Sequence, residues 1–189
     1  MFDSNKYWEN RYTGGGNSGA GSYNEYAEFK ATIINKFISE YNIKTLLELG
    51  CGDGNQLSLF NIDEYFGFDV SDFIINKLKY KFPKYKFSTN IRDFTSADLT
   101  VSLDVILHLI DDEIYIKYMN NLFNYAKKYV IIFTENFNNT STMAPHNKYR
   151  YIMHDIPPEF KLIETIENPL IGINTNAKFF IFKRINIIK

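Results

Sequence analysis

The stretch KTLLELGCGDGNQLSLF, from Lys44 to Phe60, constrains this chain more than any other segment: an apolar run ends in Glu48, and Gly50, Gly52 and Gly54 follow at alternate positions. The pattern reads as a strand ending in an acid, then a glycine-rich turn, then a helix, together a cradle for a small molecule. Glycine is needed where a turn takes dihedrals that a side chain forbids, and where a ligand must approach bare backbone. The spacing narrows the ligand further. A dinucleotide fingerprint of the form GxGxxG requires glycine at position 55, where this chain has Asn55.

The 189 residues suit one domain spanning 1–189, in which 1–41 form an N-terminal flap and helix and 42–189 a cofactor-binding core. With 45% hydrophobic and 17% aromatic residues the chain is globular, and a net charge of -1 argues against a broad electrostatic grip on nucleic acid. Cys51 is the sole cysteine, which excludes an internal disulfide and fits a reducing compartment. It reads as a small buried filler. The polar N-terminus MFDSNKYWENRY has no apolar signal core and no run reaches membrane-spanning length, so a cytoplasmic protein with no membrane partner is expected.

TGGGNSGAGS, Thr13 to Ser22, is a loop, bracketed by Tyr7, Trp8 and Tyr12 before it and Tyr23 and Tyr26 after it. It is either a linker or, as the aromatic brackets favour, a flap over a site. Tyr26, Phe29, Ile33, Phe37 and Ile38 then mark one face of a helix between Tyr23 and Tyr41. Beyond the glycine turn, Glu64 to Phe68, Tyr85 to Ser88 and Ala97 to Leu103 read as strands two to four. Ser71 caps a helix carrying Phe73, Ile74 and Leu78, and Asp111 caps one striped by Ile114, Tyr118, Leu122 and Phe123. Tyr129 to Phe133 is the fifth and expected central strand. Alternating strands and helices imply an α/β fold with a mostly parallel sheet covered by helices on both faces. Phe160 to Ile166 and Ala177 to Ile185 lie too close together for a helical crossover, so they pair antiparallel as a C-terminal hairpin of a seven-stranded sheet.

These features resemble class I S-adenosylmethionine-dependent methyltransferases: Glu48-x-Gly50-x-Gly52-x-Gly54 is similar to their motif I, SLDVILHLI to their motif IV, and the reversed hairpin to their Rossmann-like sheet. Over nearly the whole chain, YWENRYTGGGNSGAGSYNEYAEFKA, LLELGCGDGNQL, SLDVILHL and HNKYR resemble a small bacterial group linked to capsule and surface-polysaccharide modification, including O-methyl phosphoramidate. One departure is Tyr149, where that group carries a second histidine. The resemblance implies S-adenosyl-L-methionine as cofactor, S-adenosyl-L-homocysteine as product, and Tyr12, Ser18, Gly19 and Lys30 in the cofactor and acceptor site.

Asp69, beside Val70 at the end of the second strand, stands about twenty residues past the glycine turn, where a carboxylate accepts ribose hydroxyls; its other reading is a cap on the following helix. Within the family pattern Asn90, Ile91 and Asp93 read the adenine or simply form a polar turn, and Leu103 and Asp104 approach the methionine end. Glu48 serves that end or braces the glycine loop, since a buried carboxylate needs a partner such as a ligand amine.

Methyl transfer needs positioning and desolvation, and a neutral hydroxyl acceptor also needs a base. His108 in ILHL is the candidate base, or else a packed core histidine. His146 and Arg150 in APHNKYRYI, beyond the fifth strand, are candidate binders of an anionic small-molecule acceptor, Arg150 through its planar fork, unless that loop with Pro145 and Lys148 is merely solvated. His154 reads as surface. A nicotinamide-dependent oxidoreductase and a non-catalytic cofactor-binding protein are the alternatives.

Overall fold

The computed structural model describes residues 2–137, 146–170 and 176–185. Pro145, at the head of the expected acceptor loop, lies outside them. Seven strands form one sheet: β1 (Thr45–Leu49), β2 (Glu64–Phe68), β3 (Lys86–Ser88), β4 (Ala97–Leu103), β5 (Ala126–Thr134), β6 (Phe160–Ile166) and β7 (Lys178–Arg184). Their order is β3-β2-β1-β4-β5-β7-β6. The first five pair in parallel, and β7 runs antiparallel to both β5 and β6. The expected reversed hairpin is present. The centre of the sheet is β4 rather than β5, because β7 and β6 add only two strands beyond β5 while three lie beyond β4 on the other side. β4 is buried along its whole length, which is what a strand with neighbours on both edges and helices on both faces requires.

Four α-helices accompany the sheet among the described residues: α1 (Ser4–Thr13), α2 (Asn24–Glu40), α3 (Asp72–Lys81) and α4 (Asp112–Asn124). One core is built by Ile34 and Phe37 of α2 and Ile74 and Leu78 of α3 against Leu46, Leu99, Val101 and Ile131 of the sheet. The other lies on the opposite face, where Tyr115, Tyr118, Met119, Leu122 and Phe123 of α4 meet Leu47, Val130, Ile132 and Phe180. The helix caps follow the sequence: Ser71 Oγ accepts from Ile74 N and Asp111 Oδ1 from Ile114 N. Two stripes are shifted from expectation. Ala27, Lys30, Ala31 and Ile34 form the innermost line of α2, leaving Tyr26, Phe29 and Ile33 at its margin, and Ile114 of α4 is exposed while Tyr115 is buried.

Two local departures shape the site. The N-terminal segment folds as α1, with Asp3 as its cap accepting from Lys6 N, a helix that precedes the expected loop at Thr13 to Ser22 and is not marked by an apolar stripe. After the glycine turn no α-helix forms in the described stretch 50–63: Ser58 N reaches Gly54 O once, and then a single 3-10 turn spans Leu57–Leu59. Asn35 ties the end of this turn to α2, its Nδ2 donating to Leu59 O and its Oδ1 accepting from Asn61 N.

Candidate active site

The glycine turn leaves β1 with Gly50, Gly52 and Gly54 all at positive φ (83°, 53° and 72°), a region where a side chain costs about 1–2 kcal/mol. Their surroundings are as restrictive as their dihedrals. A Cβ on Gly50 would fall on Val105, and one on Gly52 on Ser18 of the loop; Gly54 abuts Leu78 of α3 and Phe82 just beyond its end and is not part of the cavity lining. Gly50 N and Cys51 N both donate to Phe68 O, at 2.7 and 2.9 Å, which ties the turn to the end of β2.

Asp69 follows directly. Its Oδ2 accepts from Gly52 N at 2.9 Å and its Oδ1 from Ser71 N at 3.1 Å, so one carboxylate holds the glycine turn and the entry to α3 together. Burial pushes it up to about 6 against the pull of those amides. Glu48, at the end of β1, is more enclosed: Tyr65 OH donates to its Oε2 at 2.5 Å, and desolvation raises it to about 7 although Tyr65 and Lys30 oppose the shift. Lys30 of α2 is 1% exposed, and its Nζ pairs with Asp104 Oδ2 at 2.7 Å, while Asp104 takes φ 59°. Neither sequence motif gave any sign of this ion pair, because its partners lie 74 residues apart.

These groups line a cavity of about 340 Å³, within the range of roughly 300–1,000 Å³ that small-molecule sites occupy. Its roof is the N-terminal segment: Ser4, Asn5, Trp8 and Tyr12 of α1, then Ser18 to Ser22. Ser18 to Ser22 of the glycine-rich loop thus lie over the cavity. Ser18 N donates to Asp53 Oδ2 and Asp53 N to Ser18 Oγ, and Tyr23 OH also donates to Asp53 Oδ2. α1 is fastened separately, since Glu9 accepts from Ser71 Oγ and from Phe73 N at the start of α3. Asp53 was missed by sequence reading. Its signal was an acid inside the glycine turn with no role assigned to it.

On the other side, His108 follows β4 in a 3-10 turn. Its ring packs edge-on to Trp8 (centroids 5.1 Å) and stacks with His146 (5.8 Å), which itself stacks on Tyr7 (5.2 Å). Nδ1 lies 3.2 Å from His146 O. Burial holds the imidazole below its ordinary value, partly offset by that carbonyl, so it is neutral at neutral pH.

Of the residues singled out in the sequence, Tyr12, Ser18, Gly19, Lys30, Glu48, Gly50, Gly52, Asp69, Val70, Leu103, Asp104 and His108 all line this one cavity. Asn90, Ile91 and Asp93 lie outside its lining. Asn90 instead caps their 3-10 turn through Arg92 N, Asp93 Oδ2 accepts from Ser88 Oγ, and Ile91 packs on the α4 core. Gly54, His146 and Arg150 are also outside it. Arg150 is buried, with Nη2 on Asp112 Oδ1 (2.8 Å) and Ile110 O (3.2 Å) and its guanidinium over the Tyr115 ring, so one arm of its fork is engaged by the protein itself while Nη1 is buried without a hydrogen-bond partner among the described residues. His154 is exposed, as read. Gln56 and Asn147 join the wall unannounced; the Oε1 of one and Oδ1 of the other are buried without a hydrogen-bond partner among the described residues.

This architecture is the Rossmann-like methyltransferase fold. N-methyltransferase NodS from Bradyrhizobium japonicum WM9, solved with S-adenosyl-L-homocysteine, is similar at a TM-score of 0.77 and 13% identity, with 98% of this chain and 100% of that chain covered. Magnesium protoporphyrin IX methyltransferase ChlM from Synechocystis PCC 6803, solved with bound SAM, is similar at 0.67 and 14% identity over 98% and 99% of the two chains. The methyltransferase domain of bacterial CtHen1-C is similar at 0.64 and 16% identity over 83% and 97%. No protein-family model and no curated protein sequence matches the chain. No described helix is long and apolar enough to cross a membrane.

Proposed function

We propose that this chain is an S-adenosylmethionine-dependent methyltransferase that methylates a hydroxyl oxygen of a small acceptor. The observation that carries the reading is the charge of the cavity wall. Glu48, Asp53, Asp69, Asp104 and Glu135 line it with Lys30 as the one ammonium among the described residues. Such a set of acceptors fits a ligand bearing a sulfonium, an α-amine and ribose hydroxyls. Glu48 and Asp69, both raised by burial, would be returned to the ionised form by a cation beside them. Asp69 would accept ribose hydroxyls with the lone pairs left over from Gly52 N and Ser71 N, and Glu48, Lys30 and Asp104 would meet the methionine end.

When bound, S-adenosylmethionine supplies a methyl group activated by positively charged sulfur. The chain's own residues must align the acceptor in line with it, exclude water and take up a proton. The α1 roof and the flap supply the exclusion. His108, neutral and on the cavity wall, supplies a base for a hydroxyl that would otherwise remain protonated.

A sugar in a surface-polysaccharide precursor, the acceptor class implied by the sequence resemblance, suits this wall: Trp8 and Tyr149 offer ring faces and Asn5 and Asn147 offer amides. A phosphoramidate or phosphorylated acceptor is the second form of that reading. The engagement of Arg150 by Asp112, away from the cavity, favours the neutral hydroxyl.

Calorimetric titration with S-adenosyl-L-homocysteine, S-adenosyl-L-methionine and NAD tests the donor: binding of both sulfur ligands and none of NAD is expected, and the reverse overturns the proposal. Methyl incorporation into a panel of free, phosphorylated and nucleotide-linked sugars then tests the acceptor. Turnover confined to anionic oxygens would remove both the hydroxyl assignment and the base.

A further inference from the structure

We propose that residues 146–150 are a positioning strap for His108, in which the His146 carbonyl, anchored through Lys148 and Arg150 to Asp112, holds the ring as the Nδ1–H tautomer and leaves Nε2 to receive a proton. The inference rests on the reading of His108 as base and extends it to residues outside the cavity wall.

A carbonyl oxygen can only accept, so the 3.2 Å approach of His108 Nδ1 to His146 O places the hydrogen on Nδ1 and the lone pair on Nε2. That carbonyl belongs to a segment tied to the loop carrying His108 at three points. Lys148 N donates to Leu107 O at 2.7 Å, which fixes the strap one residue from His108. Lys148 Nζ pairs with Asp112 Oδ1 at 2.7 Å. Arg150 Nη2 pairs with the same oxygen at 2.8 Å and with Ile110 O at 3.2 Å. Both cations of the strap thus converge on one carboxylate oxygen in the first turn of α4.

The stacking of His146 between Tyr7 and His108 completes the arrangement from the α1 side, and Ser4 Oγ donates to His108 O at 2.7 Å. Asn147 lies on the same strap, and its side chain favours the protonated ring. Orienting an acid–base histidine through a partner on its other nitrogen is a general device, and here the partner is a main-chain carbonyl. It also gives Arg150 a purpose: a buried guanidinium off the cavity wall acts on the site through the backbone it pins.

Asp112 is the residue to change, because its side chain is 67% exposed and its removal opens no core. Nitrogen-15 NMR of the histidine rings in the ligand-free protein should show His108 protonated on Nδ1 in the wild type. Asp112→Ala should lose that preference, and Asp112→Glu should restore it. With donor and acceptor present, Asp112→Ala should lower kcat about tenfold, the scale of losing an orienting partner, without changing the Kd for S-adenosyl-L-homocysteine. A wild-type His108 protonated on Nε2, or an unchanged ring tautomer in Asp112→Ala, overturns the strap. The NMR arm needs no turnover. An inactive wild type would therefore sink the methyltransferase reading and leave the strap to be judged on its ring nitrogens.

Discussion

Ser18 and Asp53 hold each other by two reciprocal hydrogen bonds, Ser18 N to Asp53 Oδ2 at 2.8 Å and Asp53 N to Ser18 Oγ at 2.9 Å, joining the flap to the glycine turn across 35 residues of sequence. Ser18→Ala removes the acceptor of one bond and the partner of Tyr12 OH. The flap should then open more often. We expect faster amide exchange at residues 18 and 53, and a donor-product affinity weakened by about 1 kcal/mol, the worth of one hydrogen bond. Unchanged protection at both amides would show that the flap is held elsewhere.

Asp69 carries two duties that substitution can separate. Asp69→Ala orphans Gly52 N and Ser71 N as well as removing the proposed ribose acceptor, so both melting temperature and affinity for S-adenosyl-L-homocysteine should fall. The affinity loss should be about 1–3 kcal/mol. Asp69→Asn retains one oxygen and should recover part of the stability with less of the affinity. Calorimetry beside thermal melts reads the two quantities independently, and full affinity in Asp69→Ala would end the ribose assignment.

Gly50 combines φ 83° with a neighbour that a methyl group would strike. Gly50→Ala should therefore destabilise the fold by about 2–4 kcal/mol, from left-handed backbone strain and overpacking together. Adding Val105→Ala relieves only the packing part. A double-mutant cycle by denaturant unfolding should recover part of the loss and leave about 1–2 kcal/mol of backbone cost; complete recovery would mean that the dihedral costs nothing.

Glu48 makes the ligand-free protein respond to acid in an uncommon direction. Its carboxyl is raised to about 7 in the fold from a usual 4.5, so the folded state binds a proton that the unfolded chain releases. The penalty is absent below about pH 4.5 and grows as pH rises towards 7, so this group makes the protein more stable on acidification through that window, by something on the order of 2–3 kcal/mol. Glu48→Gln keeps an oxygen for Tyr65 OH and should flatten this part of the pH–stability curve. A curve with the same slope in the variant would assign the effect to another group. Saturating S-adenosyl-L-homocysteine, whose amine favours the ionised carboxylates, should reduce the slope as well.

Much of this fold was legible because it is written in local patterns. β2, β4 and β6 begin and end at the residues expected from the sequence, and Ser71 and Asp111 cap the helices assigned to them. Contacts between distant segments were not legible. No local rule shows that Asn35 binds the far end of the post-glycine segment, or that Lys30 is buried against Asp104. α1 escaped notice because it is polar almost throughout and buries only Ser4 and Tyr12. Arg150 shows the same limit from the other side: its fork was recognised, but whether it would grip a ligand or Asp112 depended on where α4 begins.

The short link between β1 and β2 bears on what the pocket will reject. A full helix at that point would direct a row of free amides, and the positive end of its dipole, at anything lying on the glycine turn, as nucleotide pyrophosphates require. With only Leu57–Leu59 in a 3-10 turn, that positive end is missing among the described residues, and the acids Glu48, Asp53 and Asp69 face the cavity in its place. We therefore expect the pocket to act as an electrostatic filter, binding the NAD pyrophosphate poorly for want of a helix end and favouring a cationic ligand.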